Sequence, residues 1–194
     1  MKTKTINLYE FHELTTEQQA EVIEKYRDIN DDVFDSYVSD ECNTLELFEN
    51  GFLNPSINYD LSYSQGSGAC FDCSEFDFDL LLKDWKHKHK KWIINILKNH
   101  YECHIIKNNY GYHYSHSKTR YFTAHELFYN TYVYVESAVN NAIEYIENLR
   151  YQLAENLTNR LYDQLEWLRD DEQIKETLIA NEYYFNDETL EIEY

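Results

Sequence analysis

The apolar positions change period along the chain, and each change marks an element. In "LTTEQQAEVIEKYRDIN", Ala20, Val22, Ile23 and Tyr26 recur at helical spacing. Thr16 with Gln19 three residues on is a capping-box arrangement and predicts the helix start. A second helix is predicted from Val33 to Asn50, with Phe34, Tyr37, Val38, Leu45 and Phe48 apolar and Gly51 fitting the residue just past its end. From Ser56 the period drops to two. Ile57, Tyr59, Leu61 and Tyr63 alternate with polar residues, and beyond the glycines Ala69, Phe71 and Cys73 do the same. "SQGSG" therefore sits at the tip of a hairpin, with Gly66 and Gly68 supplying positive φ.

Helical spacing returns in "LLLKDWKHKHKKWIINILKNH", where Leu81, Leu82, Trp85, Trp92, Ile93 and Ile96 share one side and lysines fill the rest. A second β region follows: "CHIIKNN", "YGYHYSH" and "TRYFTAHELFY", with Tyr110, Tyr112 and Tyr114 alternating with small or polar residues. From about Ser137 to Arg169, apolar residues step by three and four from Val139 to Leu168, a helix of roughly 50 Å at 1.5 Å per residue. "DDEQIKETLIANEYYF" adds a helix capped by Asp170 or Asp171, and "NDETLEIEY" a short strand or tail. The expected fold is a single α+β domain over residues 1–194. It comprises an N-terminal helix pair, an antiparallel β-hairpin region interrupted by a basic helix, and long C-terminal helices.

Composition adds a charge pattern. The formal net charge of −19 is uneven: residues 1–82 carry 18 acidic against 4 basic side chains, residues 83–135 carry 3 against 9, and residues 136–194 carry 15 against 4. A chain so acidic is repelled by nucleic acid over most of its surface and attracted to basic partners. The exposed carboxylates that would meet such a partner fall into two clusters. One is Glu21, Glu24, Asp28, Asp31 and Asp32; the other is Glu166, Asp170, Asp171, Glu172 and Glu176. The basic segment offers a different chemistry. Lys86, Lys88, Lys90 and Lys91 between tryptophans could lie on phosphate, or could neutralise acidic surface of the same chain. No apolar run reaches the length of a membrane span, and "MKTKTINLYEFHEL" lacks the apolar core of a signal peptide, so a cytosolic setting with reduced cysteines is expected.

Catalytic and metal chemistry find little support in the pattern. A phosphate loop needs a helix start directly after its glycines, whereas "ACFDCSEFDFD" is strand-like and acidic. Cys70 and Cys73 with His113 and His116 have zinc-like spacing, but strands place i and i+3 on opposite faces, and Cys103–His104 competes as a donor pair. Ser64 or Ser67 would need a base that no recognised context supplies. No metal, cofactor or catalytic residue is expected, and a small enzyme is the least favoured reading.

Three segments, "LTTEQQAEVIEKYRDIN", "SYSQGSGACF" and "IKETLIANEYYF", together resemble a family of small proteins found mostly in bacteriophage genomes. That family carries a "YRD(I/G)N"-like helix end, a strand running into "SQGDGACF", and a C-terminal "IxANEYxF", in the same order as here. Ser67 stands where an acidic residue is common, Tyr63 where Trp is frequent, and "KHKHKK" is not a family feature. The resemblance implies a phage or prophage origin and the host bacterial cytoplasm; some members are loosely labelled antitoxin-like, and no catalytic residues are carried over. Size, acidity and the lack of a catalytic signature are similar to anti-CRISPR and anti-restriction mimics. The leading expectation is thus a stoichiometric inhibitor of a host nucleic-acid-binding protein or defence complex, with no direct nucleic acid and no membrane as partner. The alternative is a nucleic-acid-binding accessory protein that uses a basic helix over 83–91 and the tyrosine-rich strands.

Overall fold

The computed structural model describes residues 7–38, 41–63, 66–107, 115–127 and 133–193. In chain order the elements are β1 (Leu8–Glu10), α1 (Thr16–Lys25), α2 (Asp31–Val38), α3 (Glu41–Glu49), β2 (Phe52–Leu53), β3 (Ser56–Asp60), β4 (Gly68–Asp72), β5 (Glu75–Phe76), α4 (Phe78–Leu81), α5 (Lys90–His100), β6 (Tyr101–Lys107), β7 (Arg120–Glu126), α6 (Val133–Leu168), α7 (Asp171–Ala180), β8 (Tyr184–Asn186) and β9 (Ile192–Glu193). Helices and small antiparallel sheets occur together in an α+β chain. The chain divides into two compact units, one built from 1–37 with 163–194 and the other from 38–162.

The first unit joins the two ends of the chain. β8 lies between β1 and β9, antiparallel to both, with Tyr9 opposite Phe185 and Phe185 opposite Ile192. Above this sheet Phe11, Leu14, Val22, Ile174, Leu178, Phe185 and Leu190 form a buried cluster, in which Phe185 takes Phe11 and Tyr26 edge-on. Within the C-terminal "NDETLEIEY", Ile192–Glu193 is a strand of this sheet, fastened where the Tyr26 hydroxyl accepts from the Ile192 amide at 2.8 Å.

In the second unit, β3 and β4 form the expected hairpin, Ser56 opposite Asp72 through Asp60 opposite Gly68. β4 is buried from Gly68 to Phe71, with Phe71 in the core and the Thr158 hydroxyl on α6 accepting the Ala69 amide at 2.8 Å. β6 and β7 pair in register from Tyr101–Glu126 to Lys107–Arg120. The core gathers Leu47, Phe52, Phe71, Leu82, Ile93, Leu97, Phe122 and the inward stripe of α6 from Val139 to Ala154. Gly51 has φ of +90° and ends α3 as expected, its amide donating to Phe48.

Several boundaries differ from the sequence reading. α1 is capped by Thr15, not Thr16, with Gln18 closing the box from the other side. The helix expected over 33–50 begins earlier, at Asp31, and is helical over Asp31–Val38 and Glu41–Glu49, with residues 39–40 outside the described residues. The basic helix expected over 83–91 does not form. α4 stops at Leu81, residues 82–84 and 88–89 are turn with 85–87 in no regular element, and α5 starts only at Lys90. Crowded lysines repel along a helix, and the local chain finds other bonds: His87 Nδ1 accepts the His89 amide at 3.2 Å, and Lys90 Nζ reaches the Lys83 carbonyl at 2.7 Å. Tyr110, Tyr112 and Tyr114, the expected tyrosine face, lie outside the described residues, as do Ser64 and His113.

Candidate functional site

The two carboxylate clusters lie far apart in sequence, yet in the first unit they meet at the point where α1, the start of α2, the end of α6 and the start of α7 come together. Two arginines hold the junction. Arg27 donates to Glu24 at 2.8 Å, to Asp171 at 3.0 Å and to the Arg169 carbonyl at 3.0 Å. Arg169 in turn forks onto both oxygens of Asp31. The carboxylates of Glu24 and then Asp171 raise the Arg27 guanidinium above its ordinary value, so it stays charged. Beneath them the buried Asn30 donates to the Leu168 carbonyl at 2.8 Å, and its Oδ1 accepts the Thr177 hydroxyl at 2.8 Å. An otherwise open C-terminal carbonyl of α6 is thereby satisfied.

These contacts split the ten carboxylates by role. Glu24, Asp31 and Asp171 are engaged by the arginines, Glu172 by Lys175 at 3.3 Å, and Asp170 caps α7 by accepting the Glu172 amide. Asp170, not Asp171, is the cap. Glu21, Asp28, Asp32 and Glu166 are exposed and pair with no cation among the described residues, and Glu176 accepts only from Gln173 at 3.4 Å. Residues 1–37 and 163–194 together carry 20 acidic against 6 basic side chains, so this unit holds most of the chain's excess negative charge. Within it stands Trp167, 52% exposed, beside Glu166 on the last turn of α6. The sequence reading did not single out Trp167. Its signal was present, since Leu165 and Leu168 occupy the buried stripe and residue 167 falls opposite them.

The remaining singled-out residues lie in the second unit. Gly66 and Gly68 both have positive φ, +102° and +149°, Gly66 in the turn and Gly68 as the first residue of β4. A Cβ on Gly68 would sit 2.9 Å from the His116 Cβ, so the strand also needs a glycine there for close approach. Cys70 is fully buried, and burial raises its thiol; the Thr119 hydroxyl donates to its sulfur at 3.7 Å. Cys73 donates to the carbonyls of Leu53 and Glu75 at 2.9 Å each. Burial pushes the Cys103 thiol up to about 12. Such thiols are protonated and poorly nucleophilic. Among the described residues no group of three His, Cys, Asp or Glu side chains is placed to hold a metal. Lys86, Lys88 and Lys91 are exposed and pair with no carboxylate among the described residues, whereas Lys98, farther along α5, meets Asp79 at 2.6 Å.

Sequence reasoning also missed Arg150, which is fully buried on α6. It makes two 2.7 Å bonds to Glu147 and one of 2.9 Å to the Ser117 carbonyl, while Glu147 also accepts the Phe122 amide at 2.6 Å. One ion pair thus ties α6 to the 117–119 turn and to β7. No protein-family model matches the chain, and no curated protein or solved structure matches it either. No helix among the described residues is long and apolar enough to cross a membrane.

Proposed function

We propose that this chain is a phage-encoded, stoichiometric inhibitor of a host nucleic-acid-binding protein of the defence, anti-CRISPR or anti-restriction type. The acidic face of the first unit occupies the groove where that partner holds phosphates. One observation carries the reading: Arg27 and Arg169 bring carboxylates from both ends of the chain to one joint, and Glu21, Asp28, Asp32 and Glu166 on the same segments are exposed and pair with no cation among the described residues. The arginines hold together the segments that carry these four carboxylates, and it is these unpaired charges that a basic groove would meet. Trp167 supplies the apolar anchor that dominates many protein interfaces. The resemblance to phage proteins and the absence of a membrane-crossing helix among the described residues fit action in the host bacterial cytoplasm. The reading assigns the chain no cofactor and no catalytic step.

The test is capture of host protein on the immobilised chain, followed by titration of the purified partner. The reading requires a saturable complex of fixed stoichiometry and release of the partner's bound DNA or RNA as the complex forms. A captured protein that keeps its nucleic acid through saturation contradicts it.

A further inference from the structure

The open segment between α4 and α5 has an organisation that the acidic face does not explain. Residues 83–92, "KDWKHKHKKW", carry five lysines against the single carboxylate of Asp84. In this turn-rich stretch Trp85 and His87 are half-buried, while Lys86 and Lys88 are exposed. The rings form a ladder. His87 stacks on Trp85 with centroids 4.7 Å apart and planes 10° from parallel, His89 follows at 5.9 Å, and Trp92 meets His89 edge-on at 6.3 Å. The bond from the His89 amide to His87 Nδ1 sets the second rung. Its outer end is open: His89 is exposed and Trp92 is 48% exposed.

The lysines do not serve the fold in the way that basic residues elsewhere in the chain do. Lys98 pairs with Asp79, and Lys83 and Lys90 reach backbone carbonyls, but Lys86, Lys88 and Lys91 meet no carboxylate among the described residues. Lys90 and Lys91 also occupy the first turn of α5, where the helix dipole disfavours cations. Self-neutralisation therefore does not account for them, whereas an external polyanion would.

We propose that residues 83–92 form a binding site for single-stranded nucleic acid, with Lys86, Lys88 and Lys91 on successive phosphates and a base stacked on Trp92. Unpaired bases are required because a ring can offer only its face to a base whose own face is free, and a duplex hides those faces in its stack. The site is independent of the inhibitor reading, and it stands or falls without the partner of the acidic face.

The test uses the full chain and a fluorescein-labelled 20-mer of deoxythymidine, read by anisotropy at low salt. Saturable binding is expected, weaker for a duplex of equal length and for phosphatidylserine vesicles. The triple variant K86A/K88A/K91A, which touches no paired residue, should lower the salt-dependence slope by about 2, at roughly 0.7 per phosphate contact. Trp92→Ala should weaken binding about tenfold or more with its melting temperature unchanged, and Trp92→Phe should recover most of that loss. Absence of binding at low salt, an unchanged slope in the lysine variant, or equal affinity of Trp92→Ala overturns the proposal. So does tighter binding to vesicles or duplex than to the single strand.

Discussion

Arg27 and Asp171 stand 144 positions apart, and their side chains meet at 3.0 Å at the joint between the end of α1 and the start of α7. This contact turns two acidic stretches into one surface, because the same guanidinium also holds Glu24 and the Arg169 carbonyl. Both partners are partly solvated, 41% and 66% exposed at the side chain, so screening limits the energy. Replacing Arg27 with Met should destabilise the chain by about 1 kcal/mol in urea at low salt, and by less at high salt. Equal midpoints at both salt levels would show that the joint does not depend on the arginine.

The buried pair in the second unit predicts a larger effect. Arg150→Met leaves the Ser117 carbonyl without this donor and Glu147 with the Phe122 amide alone; because Glu147 is 32% exposed, the cost falls to about 2–3 kcal/mol, below the range for a fully buried pair. Arg150→Lys should recover little, since one ammonium cannot reproduce the two parallel bonds to Glu147. Thermal unfolding checks both variants, and a near-native lysine variant would contradict this account.

At the hairpin the two glycines should differ. Gly66→Ala forces a side chain onto a positive φ and should cost about 1 kcal/mol. Gly68→Ala adds a methyl 2.9 Å from the His116 Cβ and should cost at least about 2 kcal/mol. Equal denaturation midpoints for the two variants would remove the close-approach argument.

His116 gives a pH signature. Burial first, and then Lys118, lower its imidazole below the ordinary 6.5, against the opposing pull of Glu155. The neutral form is thus favoured in the folded state. Its contribution is fully present above pH 6.5 and is lost as pH falls from there through the lower folded value. His116→Asn keeps an acceptor for the Lys118 amide, which the imidazole Nδ1 now binds at 3.0 Å. Between pH 7 and pH 5 the variant should lose less stability than the parent chain. Parallel melting curves across that window would exclude the histidine as a source of acid sensitivity.

The parts of the fold legible in the sequence were those written in local periodicity. The α6 stripe, the hairpin around Gly66 and Gly68, Gly51 as a helix end and a cap at Asp170 or Asp171 all follow from spacing and backbone preference, and the structure selects Asp170. The basic helix was misread because Leu81, Trp85 and Trp92 keep helical spacing, while lysine repulsion and the His87–His89 bond act against it. The short strands β1, β2 and β5 carry two or three residues each, too few to show a period. The carboxylates were legible as two clusters, but their union was not. It depends on Arg27 and Arg169 bridging segments that only tertiary packing brings together.

The central claim is that the unpaired carboxylates of the first unit bind in place of nucleic acid. It is tested most directly by a variant that neutralises those and spares the braced ones, E21Q/D28N/D32N/E166Q/E176Q. The host protein retained on the parent chain is loaded with labelled nucleic acid and titrated with parent and variant at physiological salt. The parent should release the label at a fixed stoichiometry. The variant, with an unchanged melting temperature, should need at least about tenfold more protein, and the gap should close as salt rises. Release by the variant at parental concentrations would contradict the claim.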